Sequence, residues 1–175
     1  DAIELRLKES PSIRAIVPVH LYGQVVDINR LTALADEHDC VVVEDAAQAI
    51  CAKHGGRALG SKTVGAATSF YPTKNLGALG DGGAILTNHE EIAASARRLR
   101  DYGQDGKYEH VEQGLNSRLD EVHAAVLRSA VLPRLPAALA RRAEIANRYL
   151  RALSNASLHL PSSRVSSTWH IFPTF

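Results

Sequence analysis

The sequence contains no methionine and only two cysteines in 175 residues. Since the chain also begins on an aspartate, Asp1, we expect it to be a piece of a longer protein. The two cysteines, Cys40 and Cys51, fit a protein of the reducing cytoplasm, although their number still allows one disulfide.

Excess charge of either sign is also missing, because 20 Lys and Arg stand against 19 Asp and Glu for a net charge of +1. This balance favours neither nucleic acid nor a membrane surface as a partner. No apolar run approaches the length of a membrane span, and no signal peptide is recognisable. The eight histidines form no H-x-x-x-H pair and the cysteines form no C-x-x-C pair. We therefore predict no metal site.

The composition is that of an ordinary globular protein, with 45% hydrophobic and 22% charged residues. A chain of this length forms one domain or slightly more and buries roughly 70% of its unfolded surface. No internal repeat or low-complexity segment interrupts it.

A strand–helix–strand pattern occupies residues 15–45. The apolar run 15–19 predicts a strand, and Asp27 is a candidate N-cap for a helix with apolar residues at helical spacing: Ile28, Leu31, Leu34 and Ala35. The valines at 41–43 predict a second strand, parallel to the first and covered on both faces. Ligands of such sheets gather beyond the carboxyl ends of the strands, where His20 and Asp45 lie.

The most informative stretch is S-F-Y-P-T-K-N-L-G-A-L-G-D-G-G at 69–83. Residues 67–71 predict a strand that ends at Pro72, and residues 84–87 predict another. Four glycines follow Lys74 and allow unusual backbone conformations and the close approach of a ligand. The sequence thus predicts a lysine at a strand-to-loop corner beside a glycine-lined space.

Two phosphate-binding motifs are excluded by spacing. A phosphate loop has its glycines before the lysine, and a dinucleotide fingerprint leads into a helix rather than a strand. An arbitrary lysine in a glycine loop is usually a surface residue. Its neighbours instead favour a lysine that forms a covalent bond during catalysis.

Three polar residues near Lys74 suggest the group that it would hold. A carboxylate at Asp45 could keep the ring nitrogen of a pyridine cofactor protonated, which makes the ring an electron sink. Gln48 could reach the same ring if the chain turns helical after Asp45. The Ser69 hydroxyl could bind a phosphate.

Most of the chain after residue 87 is predicted to be helical. Asn88 is a candidate N-cap with Glu91 as its capping-box partner. The segment 119–153 predicts two helices with a kink or turn at Pro133 and Pro136. The final residues, 169–175, resemble a strand.

Four ordered motifs resemble the DegT/DnrJ/EryC1/StrS family of pyridoxal-phosphate-dependent nucleotide-sugar aminotransferases. They are P-V-H-L-Y-G-Q at 18–24, E-D-A-A-Q-A at 44–49, the stretch 69–83 and G-L-N-S-R-L-D-E at 114–121. The resemblance implies an aspartate-aminotransferase-like α/β fold (PLP fold type I), with a mostly parallel sheet flanked by helices. It covers the central portion of such an enzyme, and it implies that residues 1–132 belong to the large cofactor-binding domain and residues 133–175 begin a smaller α/β domain.

The resemblance also implies a role for each matching residue. Lys74 would carry pyridoxal 5'-phosphate covalently, Asp45 would pair with the pyridine nitrogen, and Gln48 would contact the ring or its 3-hydroxyl. Ser69 would bind the cofactor phosphate. Asn116 would reach the phosphate of the partner subunit's cofactor, which implies a homodimer with shared active sites.

The implied reaction moves an amino group from an amino acid, expected to be glutamate, to a keto group of a nucleotide-linked deoxyhexose. The form of the stretch 69–83 resembles enzymes that act on 3-keto sugars, with Tyr71 and Pro72 beside the substrate and Asp81 facing the sugar. Two alternatives stay open. One is a sugar dehydratase of the same fold, in which histidine replaces the lysine; the other is a relative without catalysis, for which loss of Lys74 or Asp45 would be the sign.

Overall fold

The computed structural model describes residues 2–155, 157–161 and 167–175. Asp1 and part of the predicted second domain lie outside these residues. The helices are α1 (Ala2–Glu9), α2 (Ile28–Glu37), α3 (Glu90–Leu99), α4 (Glu121–Val126) and α5 (Leu135–Ala152). The strands are β1 (Ala15–Ile16), β2 (Val41–Asp45), β3 (Lys53–His54), β4 (Arg57–Ala58), β5 (Gly65–Ser69) and β6 (Gly83–Leu86). None of the helices in these ranges has the length and apolar character needed to cross a membrane.

The main sheet has four strands in the order β1-β2-β5-β6. The first three strands are parallel and β6 runs antiparallel to β5. The hairpin β3–β4 forms a separate two-stranded sheet. This arrangement confirms the predicted α/β fold with a mostly parallel sheet.

The strand boundaries differ slightly from those predicted. β1 covers only Ala15–Ile16, because Pro18 has no N–H for a continuous ladder, and pairing resumes at a single bridge between Val19 and Asp45. β5 and β6 each begin earlier than predicted, at Gly65 and Gly83. The valine strand is also less covered than expected: Val41 is 46% exposed, so the described residues bury one face of β2 well and the other only partly.

One of the two predicted helix caps is present. Asp27 caps α2, its carboxylate accepting the Arg30 N–H at 3.1 Å. The predicted cap of α3 is wrong, because His89 occupies the N-cap position and makes no side-chain capping bond. The Asn88 side chain instead donates to the Ser61 carbonyl, 27 residues away, at 3.3 Å.

The two prolines stand where the helical segment changes form. After α4 the chain passes through a π-helical turn (Leu127–Val131) and a 3-10 turn (Leu132–Arg134) before α5 begins. Pro133 lies in the 3-10 turn and Pro136 in the first turn of α5, where the missing N–H removes no helical bond. The strand predicted at 169–175 is wrong, since the structure has no strand over these residues.

Three buried clusters hold these elements together. One packs α1 and α2 on β1 and β2, with Leu7, Ile16, Ala35 and Val42 at its centre. A second joins β5 to the segment after β2 through the small side chains Ala46, Ala49, Ala52 and Ala66. The third packs the loop between β5 and β6 against the π-helical turn and α5, through Leu76, Ala78, Leu127 and Leu135. The loop packed in the third cluster carries Lys74, the lysine singled out in the sequence.

Candidate functional site

Asp45 lies at the carboxyl end of β2, in the middle of the parallel part of the sheet. Its backbone is held on both sides, since its N–H donates to the Pro18 carbonyl at 2.9 Å and its carbonyl accepts the His20 N–H at 3.0 Å. Across the sheet it stands in register with Ala67 of β5. The carboxyl ends of β2 and β5 therefore meet at one edge, and the chain leaving β5 leads directly to Lys74.

The loop that presents Lys74 is fixed by hydrogen bonds and by apolar contacts. Phe70 donates to the Gly82 carbonyl and accepts from the Ala78 N–H, both at 2.7 Å, so the two ends of the loop are closed together. Leu76 and Ala78, which follow Lys74, are buried in the third cluster. The lysine thus projects from an anchored segment, as the sequence predicts.

Two of the four glycines, Gly82 and Gly83, line an open cavity, and protein atoms also approach the loop closely. A Cβ added at Gly77 would overlap the Pro72 carbonyl oxygen, and one at Gly82 would lie 2.7 Å from a methyl carbon of Leu119. Gly80 similarly faces the His123 ring at 3.0 Å. The glycines are required because other parts of the protein approach the loop closely.

Two polar groups at this edge of the sheet, the Lys74 amine and one oxygen of Asp45, have no partner among the described residues. Within the described parts of the chain, no hydrogen bond or ion pair is made by the Lys74 amine, although the residue is only partly exposed. The Asp45 carboxylate accepts the Ala47 N–H through Oδ1 at 3.0 Å, and its Oδ2 makes no bond to the described residues. Both groups are therefore available to a ligand.

Gln48 has a defined orientation at the same edge. Its Oε1 accepts the Tyr22 N–H at 2.6 Å, so its Nε2 is directed away from Tyr22 and can donate to a ligand. Tyr22 has a positive φ of 60°, a rare conformation for a residue with a side chain, and this turns its N–H toward Gln48. The expectation that Gln48 lies near Asp45 and donates to a ring or hydroxyl is compatible with this geometry.

The other predicted residues occupy two separate places. Ser69 ends β5, and its Oγ accepts the Tyr71 N–H at 3.2 Å, which leaves the hydroxyl hydrogen free to donate. Tyr71 itself is 49% exposed. Asn116 is exposed in a segment attached to the end of α3, where it pairs with Asp101 through the backbone and accepts from Arg118 at 3.1 Å. Asn116 therefore does not belong to the group formed by Asp45, Gln48 and Lys74.

A buried hydrogen-bonded pair that local sequence patterns do not predict lies beneath this edge of the sheet. His20 and Glu44 are 0% and 1% exposed, and His20 Nε2 lies 2.9 Å from Glu44 Oε2. The other carboxylate oxygen accepts from the Thr63 hydroxyl at 2.6 Å and the Gly60 N–H at 2.8 Å. Since His20 Nδ1 accepts the Val26 N–H, at 3.3 Å, the ring carries its hydrogen on Nε2 and donates it to Glu44.

The charge of Glu44 follows from these contacts. Burial raises the pKa of the Glu44 carboxyl, but the hydrogen bonds from His20, Thr63 and Gly60 outweigh burial and hold the pKa below its ordinary value. Glu44 is thus a buried, fully bonded carboxylate. His20 stands at the end of the first strand segment, as predicted, but its ring is directed at Glu44 and not at a ligand. Both residues lie in motifs singled out from the sequence. The contact between them joins positions 24 residues apart and could not be predicted from either motif.

A cavity of about 800 Å³ lies elsewhere. It is enclosed by β5, β6, α3 and the segment 117–119, and its lining includes Asp81 and three arginines, Arg97, Arg100 and Arg118. Lys74 and Asp45 do not line it. The candidate site therefore rests on the unpaired polar groups at the sheet edge and not on the size of this cavity.

The chain is similar to two curated bacterial proteins over most of its length. It is 46% identical over 166 residues to the erythromycin biosynthesis sensory transduction protein EryC1 of Saccharopolyspora erythraea, covering 93% of this chain and 45% of that protein. It is also 46% identical over 166 residues to the dTDP-3-amino-3,4,6-trideoxy-alpha-D-glucose transaminase of Streptomyces venezuelae, covering 93% of this chain and 44% of that protein. The chain thus spans less than half the length of these relatives.

A solved structure shares the fold. The structure of S. venezuelae DesV in complex with a ketimine intermediate superposes with a TM-score of 0.91 at 44% identity, covering 98% of this chain and 47% of that one. The model of the DegT/DnrJ/EryC1/StrS aminotransferase family matches residues 2–175. Since this match covers nearly every residue, the chain belongs to the DegT/DnrJ/EryC1/StrS aminotransferase family.

Proposed function

We propose that the full protein is a pyridoxal-phosphate-dependent aminotransferase. It transfers an amino group from an amino acid, glutamate in our proposal, to a keto group of a nucleotide-linked deoxyhexose. The observation that carries the proposal is the position of Asp45 at the end of β2 and of Lys74 in the loop after the neighbouring strand β5, each with a polar atom that has no partner among the described residues. The named transaminase among its relatives supports the same reaction class.

The residues at the edge fit the proposed cofactor group by group. An unpaired amine at Lys74 suits an aldehyde, and an unpaired carboxylate oxygen at Asp45 suits a protonated ring nitrogen. Gln48 Nε2 can donate to a ring hydroxyl, and the Ser69 hydroxyl can donate to a phosphate. The donors and acceptors of the site thus match the polar groups of pyridoxal phosphate.

Each residue has a separate task in the proposed reaction. When bound, pyridoxal phosphate supplies an electron sink that stabilises negative charge at the reacting carbon. Asp45 holds the proton on the ring nitrogen. The Lys74 amine, once free of the cofactor, is the base that moves the proton at the reacting carbon. The anchored loop keeps that amine close to the carbon.

Replacing Asp45 with asparagine tests the ring-nitrogen assignment. The amide keeps the shape of the carboxylate but lacks the charge, so we expect the proton-transfer step to slow by about 10²-fold while cofactor is still bound. Rapid mixing of the cofactor-loaded full-length protein with glutamate measures this step. Asp36→Asn, on the exposed face of α2, is the matched control and should react at the normal rate. An unchanged rate for Asp45→Asn would mean that another residue faces the ring nitrogen.

We further propose that the amino group is added at C3 of a nucleotide-linked 3-keto-6-deoxyhexose. The transaminase relative from S. venezuelae is named for a 3-amino sugar, and the sequence of the loop 69–83 resembles enzymes of that specificity. Moving the carbonyl by one ring position displaces the reacting carbon relative to Lys74, and a displacement of about 1 Å can cost roughly 10²-fold in rate. We expect Tyr71 to form part of the wall that fixes the sugar.

The regiochemistry is tested by offering the full-length enzyme 3-keto and 4-keto sugar nucleotides with glutamate. We expect a 3-amino product, identified by NMR, and turnover of the 4-keto sugar at a rate lower by roughly 10²-fold. Amination at C4 alone would contradict the C3 assignment and leave the aminotransferase proposal standing.

The assembly and location are part of the same proposal. We propose a homodimer in which Asn116 reaches the cofactor phosphate of the partner subunit, since Asn116 is exposed and stands apart from the Lys74 group. We propose that residues 1–132 belong to the large domain and residues 133–175 begin the small one. The thiols of Cys40 and Cys51 are free, which supports the predicted cytoplasmic location.

One relative carries a name that suggests regulation, the sensory transduction protein EryC1. A relative without catalysis would have no need for an unpaired lysine beside an unpaired carboxylate. A dehydratase of this fold would carry histidine at position 74. Because the chain keeps Lys74 and Asp45, the aminotransferase is the proposal that its site supports best.

A further inference from the structure

The last described segment of the chain, residues 167–175, packs on the Lys74 loop. The Asn75 side chain donates from Nδ2 to the Thr168 carbonyl at 3.0 Å, a contact between residues 93 positions apart. The Thr168 hydroxyl donates to the Gln48 carbonyl at 3.4 Å, and the Thr168 N–H donates to the Gly23 carbonyl at 3.0 Å. This segment therefore contacts the turn that contains Gly23, the stretch after β2 that contains Gln48, and the Lys74 loop.

The backbone of the segment is held in an unusual shape. Trp169 has a positive φ of 50°, and it faces the turn that contains Tyr22, with its φ of 60°. The His170 N–H donates to the Tyr22 carbonyl at 3.0 Å, and Arg142 of α5 donates to the Trp169 and His170 carbonyls. Such conformations are sparsely populated and persist where the surroundings fix them, often at functional sites. They place the His170 ring beside the Lys74 loop.

Asn75 determines which nitrogen of His170 carries the hydrogen. Because Asn75 donates to Thr168 through Nδ2, its Oδ1 is the acceptor that faces His170 Nδ1, at 3.4 Å. Nδ1 therefore carries the hydrogen and Nε2 has the free lone pair. Among the described residues, His170 Nε2 has no hydrogen-bond donor and the Lys74 amine has no acceptor.

Two cations act on His170 from the elements packed around it. Burial lowers the pKa of the His170 imidazole, and the positive charges of Lys74, on the loop, and Arg142, on α5, lower it further. The 3-10 turn at 21–23 contributes only the Tyr22 backbone to this contact. The ring is thus held uncharged near neutral pH. An uncharged acceptor therefore lies against Asn75, the residue that follows Lys74 in the chain.

We propose that His170 is a positioning residue for Lys74, accepting a hydrogen bond at Nε2 from the lysine amine whenever the amine is free of the cofactor. This inference rests on the proposed function. Asn75 keeps the imidazole in the tautomer that can accept, and the four rotatable bonds of the lysine let its amine reach the ring or the reacting carbon. The acceptor holds the amine in the site and prevents it from turning to solvent between the two halves of the reaction.

The first test measures the His170 proton directly and requires no turnover. The full-length protein is labelled at histidine, the His170 signal is assigned with His170→Gln, and the ring is titrated by NMR. We expect Lys74→Ala to raise the pKa of His170, because it removes a neighbouring positive charge. We also expect Asn75→Asp to raise it, because a carboxylate at Nδ1 favours the charged ring. A His170 pKa that Lys74→Ala leaves unchanged would overturn the proposal.

The second test separates positioning from packing. We expect His170→Leu to lower kcat about 10-fold with a nearly unchanged KM for the sugar, and His170→Gln, whose amide oxygen can accept, to recover most of the loss. In Asn75→Asp the acid limb of the pH profile should move to higher pH, since the ring then protonates earlier. His159→Leu, an exposed histidine of the same C-terminal region, is the control and should be normal. Equal losses in His170→Gln and His170→Leu, or an unmoved acid limb, would contradict the acceptor role.

The two proposals fail in different ways. If wild-type protein forms no covalent bond between lysine and cofactor, the aminotransferase proposal fails. If that bond forms and the pKa of His170 is the same in Lys74→Ala as in the wild type, only the role of His170 is wrong.

Discussion

Replacing Lys74 with alanine in the full-length protein is expected to abolish covalent attachment of pyridoxal phosphate and all detectable amination. The substitution removes both the amine that binds the cofactor and the base that moves the proton. A general base alone contributes about 10²–10⁴-fold in rate, so the combined loss should exceed about 10⁴-fold. The absorption band of the lysine-bound cofactor and the rate of amino-sugar formation measure the two losses.

Lys53→Ala provides the control for this experiment. Lys53 lies exposed on β3, away from the Lys74 loop, and its loss should change neither the band nor the rate. Turnover by Lys74→Ala at more than about one-hundredth of the wild-type rate would show that another group supplies the base. The assignment of Lys74 would then be wrong.

The second large effect is expected on stability, in Glu44→Ala. This change leaves three buried donors without an acceptor, on His20, Thr63 and Gly60. Each buried donor left without its acceptor costs about 1–3 kcal/mol of unfolding free energy, so the loss should amount to several kcal/mol. Urea unfolding of the cofactor-free, full-length protein measures the change. Cofactor binding should weaken as well, because Glu44 directly precedes Asp45.

The exposed pair between Arg141 and Glu144 is the matched comparison. Its nitrogen and oxygen are 2.8 Å apart, close to the 2.9 Å between His20 and Glu44, but its side chains are 61% and 64% exposed. Exposed pairs contribute about 0–1 kcal/mol, so Glu144→Ala should have little effect. A loss in Glu44→Ala no larger than that in Glu144→Ala would show that the buried network does not stabilise the fold.

The same carboxylate gives stability a defined pH dependence. The pKa of Glu44 is lower in the folded protein than its ordinary value of 4.5, so in acid the unfolded chain takes up the proton first. The contribution of Glu44 is therefore complete above that value and is lost as the pH falls through the lower, folded pKa. Glu44→Gln, which cannot titrate, should be less stable at neutral pH and should lose less stability on acidification.

Local patterns predicted the parts of the fold that depend on neighbours in sequence. The valine run gave β2, and Asp27 capped α2 as expected. Asn88 shows where this reasoning stops: its spacing to Glu91 matched a capping box, but a carbonyl 27 residues away was the better partner. A local motif cannot predict a hydrogen-bond partner that is distant in sequence and comes near only when the chain folds.

The site shows the same division. Lys74 and Asp45 could be proposed as site residues from their residue types and their positions at strand ends. The pairs His20–Glu44 and Asn75–His170 join residues 24 and 95 positions apart, and no local period connects them. The glycines illustrate a different limit, since their pattern predicted close approach correctly but not whether a ligand or the protein itself approaches.

The central claim is that Lys74 binds the cofactor covalently. Its most direct test is reduction of the full-length protein with borohydride in the presence of pyridoxal phosphate, followed by mass spectrometry of its peptides. Borohydride converts the carbon–nitrogen double bond between lysine and cofactor into a stable single bond, so the modified lysine keeps its label. We predict one label per chain, on Lys74. A label on a different lysine, or none under conditions in which the protein is folded, would contradict the account.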